Sequence, residues 1–133
     1  MTDTASTLQV LMVDDDQFTI DFATGQLHQL GINLITTAKD GARGLAAYDR
    51  AARKPDLVLC DLHMPGSDGF QFMEGLAARN YQGGVLLVSG QGDRVRHSAE
   101  LMARFHQLQV LGVLEKPLKV PDLSKALDQL RPR

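Results

Sequence analysis

Four carboxylates stand directly behind two apolar runs. Asp14, Asp15 and Asp16 follow Leu8–Val13, and Asp61 follows Leu57–Cys60. If both runs are strands of one sheet, they deliver these acids to a common edge. Carboxylates held that close repel one another and cost stability unless protons or a cation neutralise them. A hard divalent cation with oxygen ligands, Mg²⁺ above all, is the usual solution. Two further residues indicate what the cation would serve: Ser89 ends a third apolar run, Val85–Val88, and Lys116 closes a fourth, Val110–Leu114. Clustered acids, a hydroxyl and a lysine at strand ends are the parts of a phosphoryl-transfer site.

The elements that would position these groups are legible in the hydrophobic spacing. Leu8–Val13 predicts a strand, and Phe18, Phe22, Ala23, Leu27 and Leu30 predict a helix stopped by Gly31. Ile32–Thr37 is β-branched and strand-like; Asp40 can cap a helix with the stripe Leu45, Tyr48 and Ala52, ending before Pro55. Leu57–Cys60 predicts a buried strand, and Phe70, Met73 and Leu76 a helix after the loop Leu62–Ser67. Gly83-Gly84 leads into the strand Val85–Val88. Val95, Ala99, Met102 and Phe105 mark a fourth helix, Val110–Leu114 a fifth strand, and Leu123, Leu127 and Leu130 a fifth helix with Asp122 near its start. This alternation predicts an α/β fold, a parallel sheet with helices on both faces and right-handed crossovers. In such folds ligands bind beyond the carboxyl ends of the strands, where the strand order reverses. All the residues singled out for chemistry lie at that edge.

Composition narrows the class. With 133 residues, 44% hydrophobic and 23% charged, the chain fits one globular domain. A net charge of −2 without a basic run argues against nucleic-acid binding. Cys60 is the single cysteine and sits in an apolar run, which predicts an inert buried thiol and a reducing, cytoplasmic setting. No apolar stretch approaches the roughly 20 residues of a membrane span. The start of the chain lacks the basic and apolar regions of a signal peptide. Residues 1–7 and 131–133 are expected as tails around a domain of residues 8–130.

The chain resembles the receiver domain of two-component response regulators from about Leu8 to Leu130. The matching segments are Val10–Asp16, Ala38–Gly41, Asp61–Gly69, Ser89-Gly90 and Lys116-Pro117-Leu118. Each is weak alone; in this order and at these strand ends they are specific. The resemblance implies a doubly wound, flavodoxin-like sheet of strand order 2-1-3-4-5. It implies that Asp61 accepts a phosphoryl group from a sensor histidine kinase or phosphotransfer protein. Asp14 and Asp15 would hold Mg²⁺ with Asp61 and the backbone carbonyl of His63, while Ser89 and Lys116 would meet the phosphoryl oxygens. The Lys116–Pro117 peptide would be cis. The side chains of His63 and Gln91 would gate water during dephosphorylation. Output would pass through the fourth helix, fifth strand and fifth helix to an effector, another protein or a second copy. No separate substrate turnover is expected.

The same residues also have blander uses. Asp before a helix is most often a cap, and Asp16 is expected in that role. Lys116 alone would be a surface lysine, and Ser89 alone a turn residue ahead of Gly90. His28, His97 and His106 lack metal-ligand spacing and are expected at the surface. Val113 occupies the position where many receivers carry a switching aromatic, so the signal is expected in the backbone after Gly90 and not in a turning ring. Gln109–Leu118 also resembles receivers fused to EAL-type cyclic-di-GMP phosphodiesterase domains, and the chain ends at Arg133, as a single-domain regulator or as part of a longer protein. An aspartyl-nucleophile phosphatase of the haloacid-dehalogenase type would need Asp-x-Asp-x-Thr on the first strand, whereas the residues here are Asp14-Asp15-Asp16-Gln17-Phe18. A nucleotide-binding domain would need a glycine-rich loop there, and three acids would repel phosphate. The remaining alternative is a receiver-like interaction module that is not phosphorylated.

Overall fold

Two apolar layers sandwich one sheet in the computed structural model, which describes residues 7–62, 69–90 and 104–130. The strands are β1 (Gln9–Val13), β2 (Leu34–Ala38), β3 (Leu57–Asp61), β4 (Gly84–Ser89) and β5 (Gln109–Glu115). They pair in parallel in the order β2-β1-β3-β4-β5. The described helices are α1 (Gln17–Gln29), α2 (Gly41–Arg50), α3 (Gly69–Ala78) and α4 (Val120–Leu127). Here α4 is the fifth helix expected from sequence. The fourth expected helix lies outside the described residues apart from its end, where Phe105 is buried.

The period of two along each strand divides the core. Leu11, Val13, Val58, Cys60, Val85 and Leu87 point to the side of α2 and α3, against Tyr48, Phe72, Met73 and Leu76. Val10, Met12, Leu57, Leu59, Leu86 and Val88 point to α1 and α4, against Ile20, Ala23, Leu27, Leu123 and Ala126. Every residue of the central strand β3 is buried, so it reads as an unbroken apolar run. β2, at the sheet edge, alternates poorly and exposes Leu34. From β1 the chain runs outward to β2, then returns past β1 to β3. The order therefore reverses between β1 and β3, and the residues ending them are Asp14 and Asp61.

Helix boundaries follow local chemistry. Asp16 caps α1, its carboxylate accepting from Thr19 N at 3.2 Å, and Asp40 caps α2 by accepting from Arg43 N at 2.7 Å. Gly31 takes φ 83° beyond α1, a conformation that favours glycine.

Two expected helix stripes need correction. Along α1 the buried residues are Ile20, Ala23 and Leu27; Phe18 is 74% exposed and Phe22 37%. Ile20, Ala23 and Leu27 keep the i, i+3, i+7 phase, whereas Phe22 lies about 100° around the helix from Ala23. Phe18 and Phe22, four residues apart, stack on each other with centroids 6.5 Å apart. In α2 the helix ends at Arg50, leaving Ala52 exposed, and the buried face is Gly41, Gly44 and Tyr48, with Leu45 only partly covered. A Cβ on Gly44 would lie 2.8 Å from Val13 Cγ2 and 2.9 Å from Phe72 Cε1, so α2 approaches the sheet through a glycine. β2 starts at Leu34; Ile32 is buried in the preceding turn. No described helix is long and apolar enough to cross a membrane.

Candidate functional site

The site forms where β1, β3, β4 and β5 end. Asp14 follows β1 directly, and its N–H still donates to Ala38 O at 3.0 Å, which continues the β1–β2 ladder by one residue. Asp14 is 3% exposed, and its Oδ1 accepts the N–H of Asp16 at 2.9 Å. Asp15 is exposed. Asp61 is the last residue of β3 and is 3% exposed; the next N–H, of Leu62, donates to Val88 O at 3.0 Å. Ser89 ends β4 and is buried, its Oγ donating to Gly90 O at 3.1 Å. Lys116 follows β5, and its N–H donates to Ser89 O at 3.0 Å, placing lysine and serine side by side.

The lysine joins the acids. Lys116 Nζ lies 3.1 Å from Asp61 Oδ2 and 3.4 Å from Asp14 Oδ2. Burial pushes the Asp14 carboxyl above the ordinary carboxylate range, with the neighbouring Asp61 charge adding to it; the Asp16 N–H and Lys116 work the other way and do not overcome it. Partial burial works to lower the Lys116 ammonium, yet its hydrogen bond to Asp61 and the two acidic charges outweigh this and hold it above its ordinary range. Asp16 belongs to a different environment. Its carboxyl is held low chiefly by the Thr19 hydroxyl, which donates to it at 2.6 Å, in keeping with a cap.

Ligand oxygens of Asp14, Asp15 and Asp61 all lie within 4.8 Å of one another. Two of these carboxylates are buried, and the donor set is entirely oxygen. That chemistry fits a hard divalent cation such as Mg²⁺, which needs few protein ligands because it keeps several waters. Asp14, Asp15 and Asp61 are the residues that would hold it. The surface grooves of about 380 and 420 Å³ lie elsewhere, at the amino ends of β1 and β2 and of β5, and none of these site residues lines them.

The sequence-derived residues are thus distributed unevenly. Asp14, Asp15, Asp61 and Lys116 converge, and Ser89 adjoins them through the backbone. The Lys116–Pro117 peptide is cis. Val113 is buried in β5, in register with Leu87. His63 and Gln91 lie outside the described residues, as do His97 and the Gly92–Met102 portion of the expected output face. One contributor went unassigned: Gly69, first residue of α3, where a Cβ would stand 2.9 Å from the carbonyl oxygen of Asp61 and 3.0 Å from Leu62 Cα. A glycine opening a helix is the only trace this leaves in sequence.

The family model described as response regulator receiver domain matches residues 10–128. The probable chemotaxis protein CheY of Rhizobium etli is 29% identical over 126 residues, covering 93% of this chain and 92% of that protein. The probable C4-dicarboxylate response regulator DctR of Priestia megaterium is 26% identical, covering 92% of this chain but 51% of its own length. The chain thus spans nearly all of the first relative and about half of the second. Among solved structures, the chemotaxis response regulator CheY4 of Vibrio cholerae superposes with a TM-score of 0.74 at 25% identity, covering 92% of this chain and 97% of that one.

Proposed function

Because the chain belongs to the response regulator receiver domain family, a signalling family whose standard function is phosphorylation on an aspartate, we propose that Asp61 is the phosphoacceptor of this protein. The observation that carries the reading is the placement of Lys116 Nζ, 3.1 Å from Asp61 and 3.4 Å from Asp14, over a buried carboxylate pair at the switch point of the sheet. In the reaction an Asp61 carboxylate oxygen forms a bond to phosphorus as the bond from phosphorus to the donor's leaving group breaks, and the leaving group departs with that electron pair. Asp14, Asp15 and Asp61 would hold Mg²⁺, which would supply positive charge against the phosphoryl oxygens. Lys116 turns from its carboxylates toward those oxygens, and the Ser89 hydroxyl exchanges its bond to Gly90 O for one to phosphate. The domain thereby promotes its own phosphorylation without turning over a separate substrate.

Receivers interact with histidine kinases and with effector or partner proteins. For this chain we assign the donor to a sensor histidine kinase or phosphotransfer protein. Output goes through the face made by the segment after Gly90, β5 and α4, toward an effector, a partner or a second copy. Val113, buried within β5 and lacking a ring, leaves backbone rearrangement after Gly90 as the route. His63 and Gln91 gate hydrolysis of the phosphoaspartate. Incubation with Mg²⁺ and acetyl phosphate, read by intact mass, tests the core of this reading. The wild type gains one phosphate, and Asp61→Asn gains none while Asp16→Ala still does. A mass gain that survives Asp61→Asn refutes the assignment, and no gain in the wild type favours an unphosphorylated interaction module.

A further inference from the structure

The loop that carries Lys116 is held by a residue far away in sequence. Gln26, on α1, uses its side-chain Oε1 to accept the backbone N–H of Val120 at 2.9 Å, a half-buried contact between residues 94 apart. Val120 is the first residue of α4, and the cap position before it, Lys119, makes no side-chain capping bond. First-turn N–H groups need an acceptor from outside their own helix. Gln26 supplies one.

This fixes the loop at both ends. At its start the N–H of Lys116 donates to Ser89 O at 3.0 Å, and between the ends Leu118 is 2% exposed in the layer shared with α1 and α4. At its far end Val120 is tied to Gln26. The helix that provides this tie is the one capped by Asp16, whose own N–H donates to Asp14 Oδ1 at 2.9 Å. A single rigid helix therefore touches the acid cluster at its beginning and the lysine loop near its end.

We propose that Gln26 is a positioning residue for Lys116: by holding the start of α4 against α1, it sets the loop from which the ammonium reaches Asp61 and the phosphoryl oxygens. The inference rests on the phosphoacceptor reading above. A plain helix cap would contribute to stability alone, whereas a positioning residue acts on phosphorylation only while Lys116 is present.

A double-mutant cycle separates these roles. Wild type, Gln26→Leu, Gln26→Glu, Lys116→Ala and the double variant Gln26→Leu/Lys116→Ala are phosphorylated with Mg²⁺ and acetyl phosphate, the rate being read by intact mass. Gln26→Leu keeps the volume but removes the acceptor, and it slows phosphorylation about fivefold, the equivalent of one net hydrogen bond of about 1 kcal/mol. Gln26→Glu keeps an acceptor, placed favourably at a helix N-terminus, and restores the rate. In the Lys116→Ala background Gln26→Leu has no further effect. The side-chain NMR resonances of Lys116 move in Gln26→Leu and return in Gln26→Glu. If Gln26→Leu does not fold, Gln26→Asn, one methylene too short to reach Val120, takes its place with the same expectations. Equal slowing in both backgrounds, or an unchanged rate in a variant of lowered melting temperature, overturns the proposal and leaves a cap. A wild type that takes up no phosphate overturns the Asp61 reading itself, an outcome the other arms do not share.

Discussion

Replacing Asp14 by Asn should stabilise the metal-free protein at neutral pH. The charge of Asp14 is buried at 3% exposure, and one of its oxygens lies at most 4.8 Å from an oxygen of Asp15 and one of Asp61. At an effective dielectric of about 20, two charges at that 4.8 Å separation repel by about 3.5 kcal/mol, against about 5 kcal/mol of attraction to Lys116 at 3.4 Å. Asp61 alone offsets most of the attraction and Asp15 adds to the repulsion, so the hydration lost on burial is left uncompensated. Asn keeps the Oδ1 acceptor for the Asp16 N–H, and Lys116 keeps its contact with Asp61. The expected gain is about 1–2 kcal/mol, the surplus of the two repulsions over the one attraction, or about 4 °C per kcal/mol in melting temperature. The sign follows from the raised carboxyl of Asp14: between the ordinary carboxylate value and the folded one, the folded state binds more protons, so stability falls as pH rises through that window. The advantage of Asp14→Asn is therefore full at neutral pH and vanishes below the ordinary carboxylate range. On the proposal that Asp14 helps to hold Mg²⁺, the ion should reverse the ranking, since a ligand at 100 times its Kd adds about 2.7 kcal/mol to the wild type and Asp14→Asn would lack one of the coordinating carboxylates. The chain has no tryptophan, so urea unfolding is followed by circular dichroism, in chelator and in Mg²⁺. A variant less stable than wild type in chelator at neutral pH, or one that gains as much from Mg²⁺, refutes this account of the cluster.

Other substitutions probe neighbouring parts. Lys116→Met leaves two buried carboxylates without their shared cation and should cost about 2 kcal/mol at neutral pH. Because the folded lysine titrates above its unfolded value, that contribution is complete below the ordinary lysine range and disappears as pH rises through the folded one, which urea unfolding at neutral and alkaline pH would show. Ile20→Ala should destabilise by about 2–4 kcal/mol, while Phe18→Ala, at a residue 74% exposed, should leave the urea midpoint unchanged. Gly44→Ala should cost about 1–3 kcal/mol because the new methyl meets Val13 and Phe72. Gly25→Ala, in the middle of α1 with open space around it, should gain about 1 kcal/mol. Thermal melts of the two glycine variants together separate packing from helix propensity.

The sequence by itself determined the strand–helix alternation, and with it the parallel sheet and the end of the sheet where Asp14, Asp61, Ser89 and Lys116 gather. This worked because β1, β3 and β4 are buried on both faces and so appear as continuous apolar runs, and because Asp14, Asp61 and Ser89 each stand at the end of such a run. The caps at Asp16 and Asp40 were equally legible, since a cap bonds only to its own first turn. The rotation of α1 was not. Phe18 and Phe22 have the hydrophobicity of core residues, and only the docking of Ile20, Ala23 and Leu27 onto the sheet fixes which face turns inward. The sharing of Lys116 between Asp14 and Asp61, the close approach of Gly69 to the Asp61 backbone and the bond from Val120 N–H to Gln26 likewise belong to the tertiary structure. Local propensity acts over a few residues, whereas these contacts join distant parts of the chain and exist only once the helices have packed.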